Sequence, residues 1–265
     1  MILDEIVEKR KIQLAKEISA VGREEMKRMA LEIADSASPE RATKGFAKAL
    51  AAEGLSIIAE VKKASPSKGL IQPDFHPAEV AAAYERSGAS AISVLTEEAY
   101  FQGGSDYLKQ VRQAVSLPII RKDFIFDDYQ IYEARVIGAD AILLIVAILS
   151  DEEIRSFMAL AASLGLDALV EVHDEAEMTR AIDCGAELIG INNRDLKTFN
   201  VELSTTQRLL PMVPKDRLCI SESGIRDAKD MEAVRSWGAD AVLIGETLMR
   251  SKDVEGTLKG LKGLQ

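Results

Sequence analysis

Glu60 and Lys62 stand two residues apart at the end of the apolar run Ser56-Ile57-Ile58-Ala59, and the same pattern of an apolar run ending in charge returns along the chain. Arg121-Lys122-Asp123, Glu171-Val172-His173, Asn192-Asn193-Arg194-Asp195, Ser221-Glu222-Ser223-Gly224 and Gly245-Glu246-Thr247 each close a short run rich in Ile, Leu and Val. A lysine ammonium can donate a proton to a carbonyl or a departing hydroxyl, and a carboxylate can take one from carbon or water. Confined together, such groups tune one another's proton affinity. Taken alone, any of these charges reads equally as a structural ion pair. Glu60, Lys62, Lys122, Glu171 and Glu222 together read as acid–base groups converging on one small substrate.

Groups so far apart in sequence meet only if regular elements bring them together. The runs at 56–62, 91–95, 118–122, 141–146, 168–172, 188–191, 218–222 and 241–244 suit buried strands. The segments at 77–86, 107–115, 127–137, 151–164, 174–184, about 203–210, 227–237 and 253–264 read as helices. A small signature, Gly-Ala after a helix and before a strand, recurs at Gly88-Ala89, Gly138-Ala139, Gly185-Ala186 and Gly238-Ala239. Glycine caps the helix there, and alanine allows close packing at the turn into the sheet. Apolar strands alternating with helices predict a parallel sheet covered on its outer face. Eight such units predict a closed (β/α)8 TIM barrel, one domain over residues 1–265. The rival is an open doubly wound sheet with a glycine-rich dinucleotide loop after its first strand. Lys62-Lys63-Ala64-Ser65-Pro66-Ser67 is not such a loop.

Residues 1–50 lie outside the repeat and are expected to form an N-terminal helical extension, with helices at 4–19 and 24–33. Their apolar residues need a partner surface, so they are expected to cap the bottom of the barrel or pack beside it. A regulatory or oligomer-forming module is the alternative.

In a barrel of this type the strand ends and the loops after them build the active site. Glu60 and Lys62 then share one strand face, and Lys122, Glu171, Asn192 and Glu222 close strands three, five, six and seven. The loops after strands seven and eight carry Ser223, Gly224, Gly245 and Glu246, where barrels often hold a phosphate and glycine lets backbone N–H groups approach it. Ser65 lies in a polar loop bracketed by Pro66 and Gly69 that could bind phosphate or close over a ligand. Phe101 and Phe124 follow strands and could wall an aromatic ring. Simple turns and local packing are the competing accounts of these loop residues.

Composition narrows the class. At 47 % apolar residues the chain can build a full core, and its net charge of −10 disfavours nucleic acid while leaving room for a local cationic pocket. Cys184 and Cys219 lack metal-site spacing and are expected to be buried thiols. His76 and His173 alone make a zinc centre improbable, and the lysines compete with a Mg²⁺ reading of the carboxylates. The N-terminus lacks the apolar core of a signal peptide, and the longest apolar run, 141–149, is too short to span a bilayer. A cytoplasmic protein is expected.

The chain resembles the indole-3-glycerol phosphate synthase family over essentially its whole length. The strings that carry the resemblance are Ile58-Ala59-Glu60-Val61-Lys62-Lys63-Ala64-Ser65-Pro66-Ser67-Lys68-Gly69, Arg121-Lys122-Asp123-Phe124, Leu169-Val170-Glu171-Val172-His173, Ile189-Gly190-Ile191-Asn192-Asn193-Arg194-Asp195-Leu196 and Ser221-Glu222-Ser223-Gly224-Ile225. Their common order is more specific than a barrel fold, which by itself identifies no chemistry. The resemblance implies closure of an indole ring with loss of CO2 and water from an anionic substrate bearing phosphate and carboxylate, with no cofactor and no metal. It implies Lys122 as general acid, Glu171 and Lys62 as proton carriers in the dehydration, and Glu60 and Asn192 as positioning groups. Arg194 and Glu222 would organise the charged pocket. Ser65, Ser223, Gly224 and Gly245 match phosphate-binding positions, and Phe101 and Phe124 would shelter the aromatic ring.

Glu246 stands where small residues are common in the family. Its carboxylate is expected to turn away from phosphate and leave the backbone N–H as the donor. One barrel is expected to carry no fused isomerase or amidotransferase domain, and association with other tryptophan-pathway enzymes stays open. The neighbouring phosphoribosyl isomerase fits poorly with Lys122, Glu171 and the extension. A non-catalytic phosphate-ligand sensor on the same barrel would bind without turnover.

Overall fold

Strands that are apolar on both faces need helices outside and their own side chains inside, and this chain provides both. The computed structural model describes residues 2–36, 38, 42–196 and 198–263. Its eight parallel strands are β1 (Ser56–Val61), β2 (Ala91–Leu95), β3 (Ile119–Lys122), β4 (Ala141–Ile145), β5 (Asp167–Val172), β6 (Leu188–Asn192), β7 (Leu218–Glu222) and β8 (Ala241–Ile244). Each pairs with its neighbour in sequence, and β8 pairs with β1 to close the barrel. The doubly wound alternative is thereby excluded.

The outer helices are α4 (Pro77–Arg86), α5 (Ser105–Ala114), α6 (Asp128–Val136), α7 (Asp151–Ser163), α8 (Glu175–Asp183), α9 (Ser204–Leu209), α10 (Ala228–Trp237) and α12 (Val254–Leu261), with a short α11 (Glu246–Met249) directly after β8. The strand ends agree with the sequence reading to within a residue. Asp127, Asp174 and Asp227, read as first helical residues, are caps instead. Their carboxylates accept the backbone N–H groups of Tyr129, Glu177 and Lys229, which the first turn cannot satisfy internally. The final helix stops at Leu261, and Leu264 of the expected span lies outside the described residues.

Side chains alternate across each strand, and the core divides accordingly. Ile58, Ile120, Leu143, Leu169, Ile220 and Leu243 belong to the cluster inside the barrel. Ile57, Ile119, Val170, Cys219 and Val242 belong to the layer beneath the helices. Both cysteines are buried free thiols, as expected.

The N-terminal segment corrects the expectation in part. Helix α2 (Arg23–Ala34) packs beside the barrel against α6. Helix α1 (Ile2–Ala20) lies over the opposite end from the bottom. Its Arg10 grips Asp123 after β3, and its Gln13 donates to the Thr96 carbonyl after β2. The physical reason is its inner face, which mixes Leu3, Ile6 and Leu14 with the polar groups Arg10 and Gln13. Besides Glu17 on the helix itself, those polar groups find their partners at the C-terminal strand ends. The bottom is closed by α3 (Phe46–Leu50), too short for periodicity to reveal. Phe46 and Leu50 are fully buried in the inner cluster, and the Ala47 N–H is held by Asp167 at the start of β5.

Candidate active site

Strand alternation decides which groups enter the barrel. Glu60 shares the inward face of β1 with Ile58, Lys122 that of β3 with Ile120, Glu171 that of β5 with Leu169, and Glu222 that of β7 with Ile220. All four lie at C-terminal strand ends. The Lys122 Nζ sits 2.7 Å from Glu171 Oε2 and 2.5 Å from Glu222 Oε2. Glu60 and Lys62 form a second ion pair.

The electrostatics separate the two carboxylates that share Lys122. Burial pushes the Glu222 carboxyl up to about 7, with Lys122 opposing and the Glu171 anion reinforcing the rise. Burial also opposes ionisation of Glu171, but Lys122 and His173 outweigh it and hold that carboxyl well below the usual range. Lys122 is itself raised, because the two carboxylates overcome the cost of burying its charge. The result is a firmly protonated lysine between one fixed anion and one carboxyl that titrates near neutrality. The second oxygen of Glu222, Oε1, is buried without a hydrogen-bond partner.

Two glycines make room for these groups. A Cβ at Gly190, on the inward face of β6, would collide with Glu222 Oε1. A Cβ at Gly245 would collide with Glu60 Oε2 and come within 2.9 Å of Lys62 Nζ. Gly245 therefore serves the Glu60–Lys62 pair as well as any anion above it.

A cavity of about 730 Å³ opens over the cluster, and every site residue named from the sequence lines it, including Asn192, Arg194, Ser65 and Glu246. Phe101 and Phe124 face each other at 6.1 Å between ring centroids, tilted by 41°, as one apolar wall. Glu97 fixes the Phe101 loop by accepting the N–H groups of Ala99, Tyr100 and Phe101. On the other side, Ser223 (φ 66°) and Gly224 (φ 95°) turn the chain sharply after β7. The Thr247 hydroxyl donates to the Ile225 carbonyl at 2.6 Å and draws the loops after β7 and β8 together. The Glu246 carboxylate is held by Arg250 at 3.1 Å, with Lys68 3.7 Å away. Arg194 reaches the β1 loop through Ser67 Oγ at 3.4 Å.

Three features of the site were not foreseen. Asn193 is a buried hub: its amide donates to Ser221 Oγ and to the Glu222 and Ser223 carbonyls, and its oxygen accepts from Thr206. It thus locks the ends of β6 and β7 together. The pairing of Arg10 with Asp123, next to Lys122, ties the first helix to the site. His173 contacts the back of Glu171. The doubled asparagine at 192–193 was a usable signal, whereas nothing local announces a contact between residues 113 apart.

A closed barrel with an acid–base cluster at its C-terminal mouth defines a (β/α)8-barrel enzyme. A family model described as indole-3-glycerol phosphate synthase matches residues 3–261, and the chain belongs to that family. It is 50 % identical over 269 aligned residues to the indole-3-glycerol phosphate synthase of Acetivibrio thermocellus, covering all of both chains. It is 54 % identical to that of Chlorobium phaeovibrioides over 83 % of this chain and 86 % of the relative. Among solved structures it is similar to 3-hexulose-6-phosphate synthase from Salmonella typhimurium, with a TM-score of 0.62 at 13 % identity over 79 % of this chain and 97 % of the other. Thiamine phosphate pyrophosphorylase from Pyrococcus furiosus gives 0.61 at 17 % identity over 79 % and 94 %. At that identity the structural likeness speaks for the fold alone.

Proposed function

We propose that the chain performs the reaction of its family through the cluster around Lys122. The reaction converts 1-(2-carboxyphenylamino)-1-deoxyribulose 5-phosphate to indole-3-glycerol phosphate, CO2 and water, a carboxy-lyase step of tryptophan biosynthesis. The observation that carries the assignment is a buried lysine clamped between two carboxylates, one of them titrating near neutrality, at the base of a cavity sized for one small substrate.

In this reading Lys122 donates to the ketone oxygen as the ring carbon bearing the carboxylate attacks the ketone carbon. The bond to the carboxylate then breaks, CO2 leaves, and its electron pair restores the aromatic ring. Loss of the hydroxyl as water, with removal of a methylene proton, completes the indole. Glu171 and Lys62 carry the protons of that dehydration. Glu60 and Asn192 orient the reacting groups, and Arg194 and Glu222 order the charged pocket. Ser65 and the backbone at Ser223, Gly224 and Gly245 receive the phosphate, while the Glu246 carboxylate stays with Arg250 and Lys68. Phe101 and Phe124 shelter the aryl ring.

Among the described residues no helix is long and apolar enough to cross a membrane. A doubly anionic substrate does not cross a bilayer unaided, which favours a cytoplasmic setting. Association with other enzymes of the pathway is a further expectation, open to co-purification.

The test is turnover by Lys122→Ala. Loss of a general acid should lower kcat by about 10²- to 10⁴-fold in a folded protein. Near-normal turnover would remove Lys122 from its role. Binding without turnover by the unaltered chain would favour a phosphate-ligand sensor.

A further inference from the structure

Ser223 leaves β7 at φ 66°, a left-handed backbone that a residue bearing a Cβ adopts at a cost, and Gly224 follows at φ 95°. Two successive left-handed residues need an outside hold, and Asn193 supplies it. Its Nδ2 lies 3.0 Å from the Glu222 carbonyl, 3.0 Å from the Ser223 carbonyl and 3.0 Å from Ser221 Oγ. Its backbone N–H donates to the same Glu222 carbonyl at 2.9 Å.

The Asn193 amide can face only one way. Its Oδ1 accepts from the Thr206 backbone N–H at 3.0 Å and from the Thr206 hydroxyl at 2.9 Å. A backbone N–H can only donate and a carbonyl can only accept, so both sides of the amide are assigned by their partners. With the Thr206 hydrogen spent on Asn193, the 2.7 Å contact between the two hydroxyls has Ser221 as donor. Asn193, Ser221 and Thr206 therefore close a ring of hydrogen bonds, with all three residues buried. Such a ring holds the amide plane rigidly.

The consequence for the loop follows from peptide geometry. A trans peptide points its N–H opposite to its carbonyl. Asn193 draws the Glu222 and Ser223 carbonyls to one nitrogen, so the N–H groups of Ser223 and Gly224 both point away from it. Ser223 and Gly224 line the cavity over Lys122, and Asn193 does not. The two N–H groups are thus turned towards the cavity, and neither donates to another backbone group among the described residues. Successive N–H groups on one side of a turn form a concavity that takes an anion.

We propose that Asn193 is the positioning residue of the phosphate subsite, setting the Ser223 and Gly224 N–H groups through the carbonyls behind them. This rests on the placement of the substrate phosphate at that loop given above. Asn193 meets no part of the substrate and acts through the backbone alone.

The experiment compares the unaltered protein with Asn193→Ala, with folding checked by circular dichroism. Equilibrium titration gives Kd for inorganic phosphate, and steady-state kinetics gives kcat and KM. Losing the aim of charge-assisted donors should raise both Kd and KM by about tenfold or more, with kcat changed much less. Unchanged phosphate affinity in the folded variant, or a fall in kcat alone, would overturn the proposal. Should Asn193→Ala fail to fold, Thr206→Val keeps the amide and removes one of the two donors that fix it. That variant should raise both constants by a smaller factor, and unchanged constants would overturn the proposal. Failure of phosphate to bind the unaltered protein would instead overturn the phosphate placement, and the proposal with it. Absence of turnover would overturn the assigned reaction, while the titration still decides the role of Asn193.

Discussion

At the scale of single residues, the proposed reaction divides its chemistry between two carboxylates. Glu171 and Glu222 touch the same ammonium from opposite strands, yet their environments push their acidities apart. Glu222, pushed up to about 7, is mostly protonated below that pH and ionised above it. Its ionisation puts a second full anion on Lys122, which then holds its proton more tightly and becomes a weaker acid. The expected outcome is a kcat that falls as pH rises through about 7. In Glu222→Gln, uncharged at every pH, that limb should flatten, and a pH–rate profile of both proteins checks it. The charged members of the site were legible in the sequence because each closes an apolar run. Asn193 was signalled only by the doubled asparagine, and Arg10 and Glu97 were not legible as site residues, because their work is done through contacts made only in the folded chain.

At the scale of elements, strand alternation is the organising device. It sends Glu60, Lys122, Glu171 and Glu222 inward while their sequence neighbours face the helices, and it could be read directly from spacing. Less visible was the reason for glycine on the inward faces of β6 and just after β8. Gly245 suggested a phosphate turn, but the space it leaves is also occupied by the Glu60–Lys62 pair. Gly245→Ala should displace that pair and lower kcat/KM by about tenfold or more while the barrel stays folded. Steady-state kinetics with a thermal melt separates the two effects, and unaltered kcat/KM would show that the pair yields without cost. The position of α1 could not be read either. Its pattern says that it must bury a face, while the choice between the two ends of the barrel is made by Arg10 and Gln13 finding Asp123 and Thr96.

At the scale of the whole molecule, the barrel keeps support and chemistry at opposite ends. The eight-strand count, the helix order and the closure followed from repetition alone, since a repeated βα unit of this length has few ways to bury both strand faces. The bottom plug escaped because five residues carry too little periodicity. Phe46 belongs wholly to that end, fully buried among inner-core side chains. Phe46→Ala should cost about 3–5 kcal/mol of stability, from lost burial and the cavity left behind. It should leave kcat/KM near that of the unaltered protein, as denaturant unfolding and kinetics on one preparation will show.

The decisive measurement is the growth of indole fluorescence when the purified protein meets 1-(2-carboxyphenylamino)-1-deoxyribulose 5-phosphate in EDTA, with Lys122→Ala run alongside. The structure predicts a rate that saturates with substrate, persists in the chelator because Lys122 already neutralises the clustered carboxylates, and collapses in the variant. No fluorescence rise from the unaltered protein despite substrate binding, or an equal rise from a folded Lys122→Ala, would contradict it.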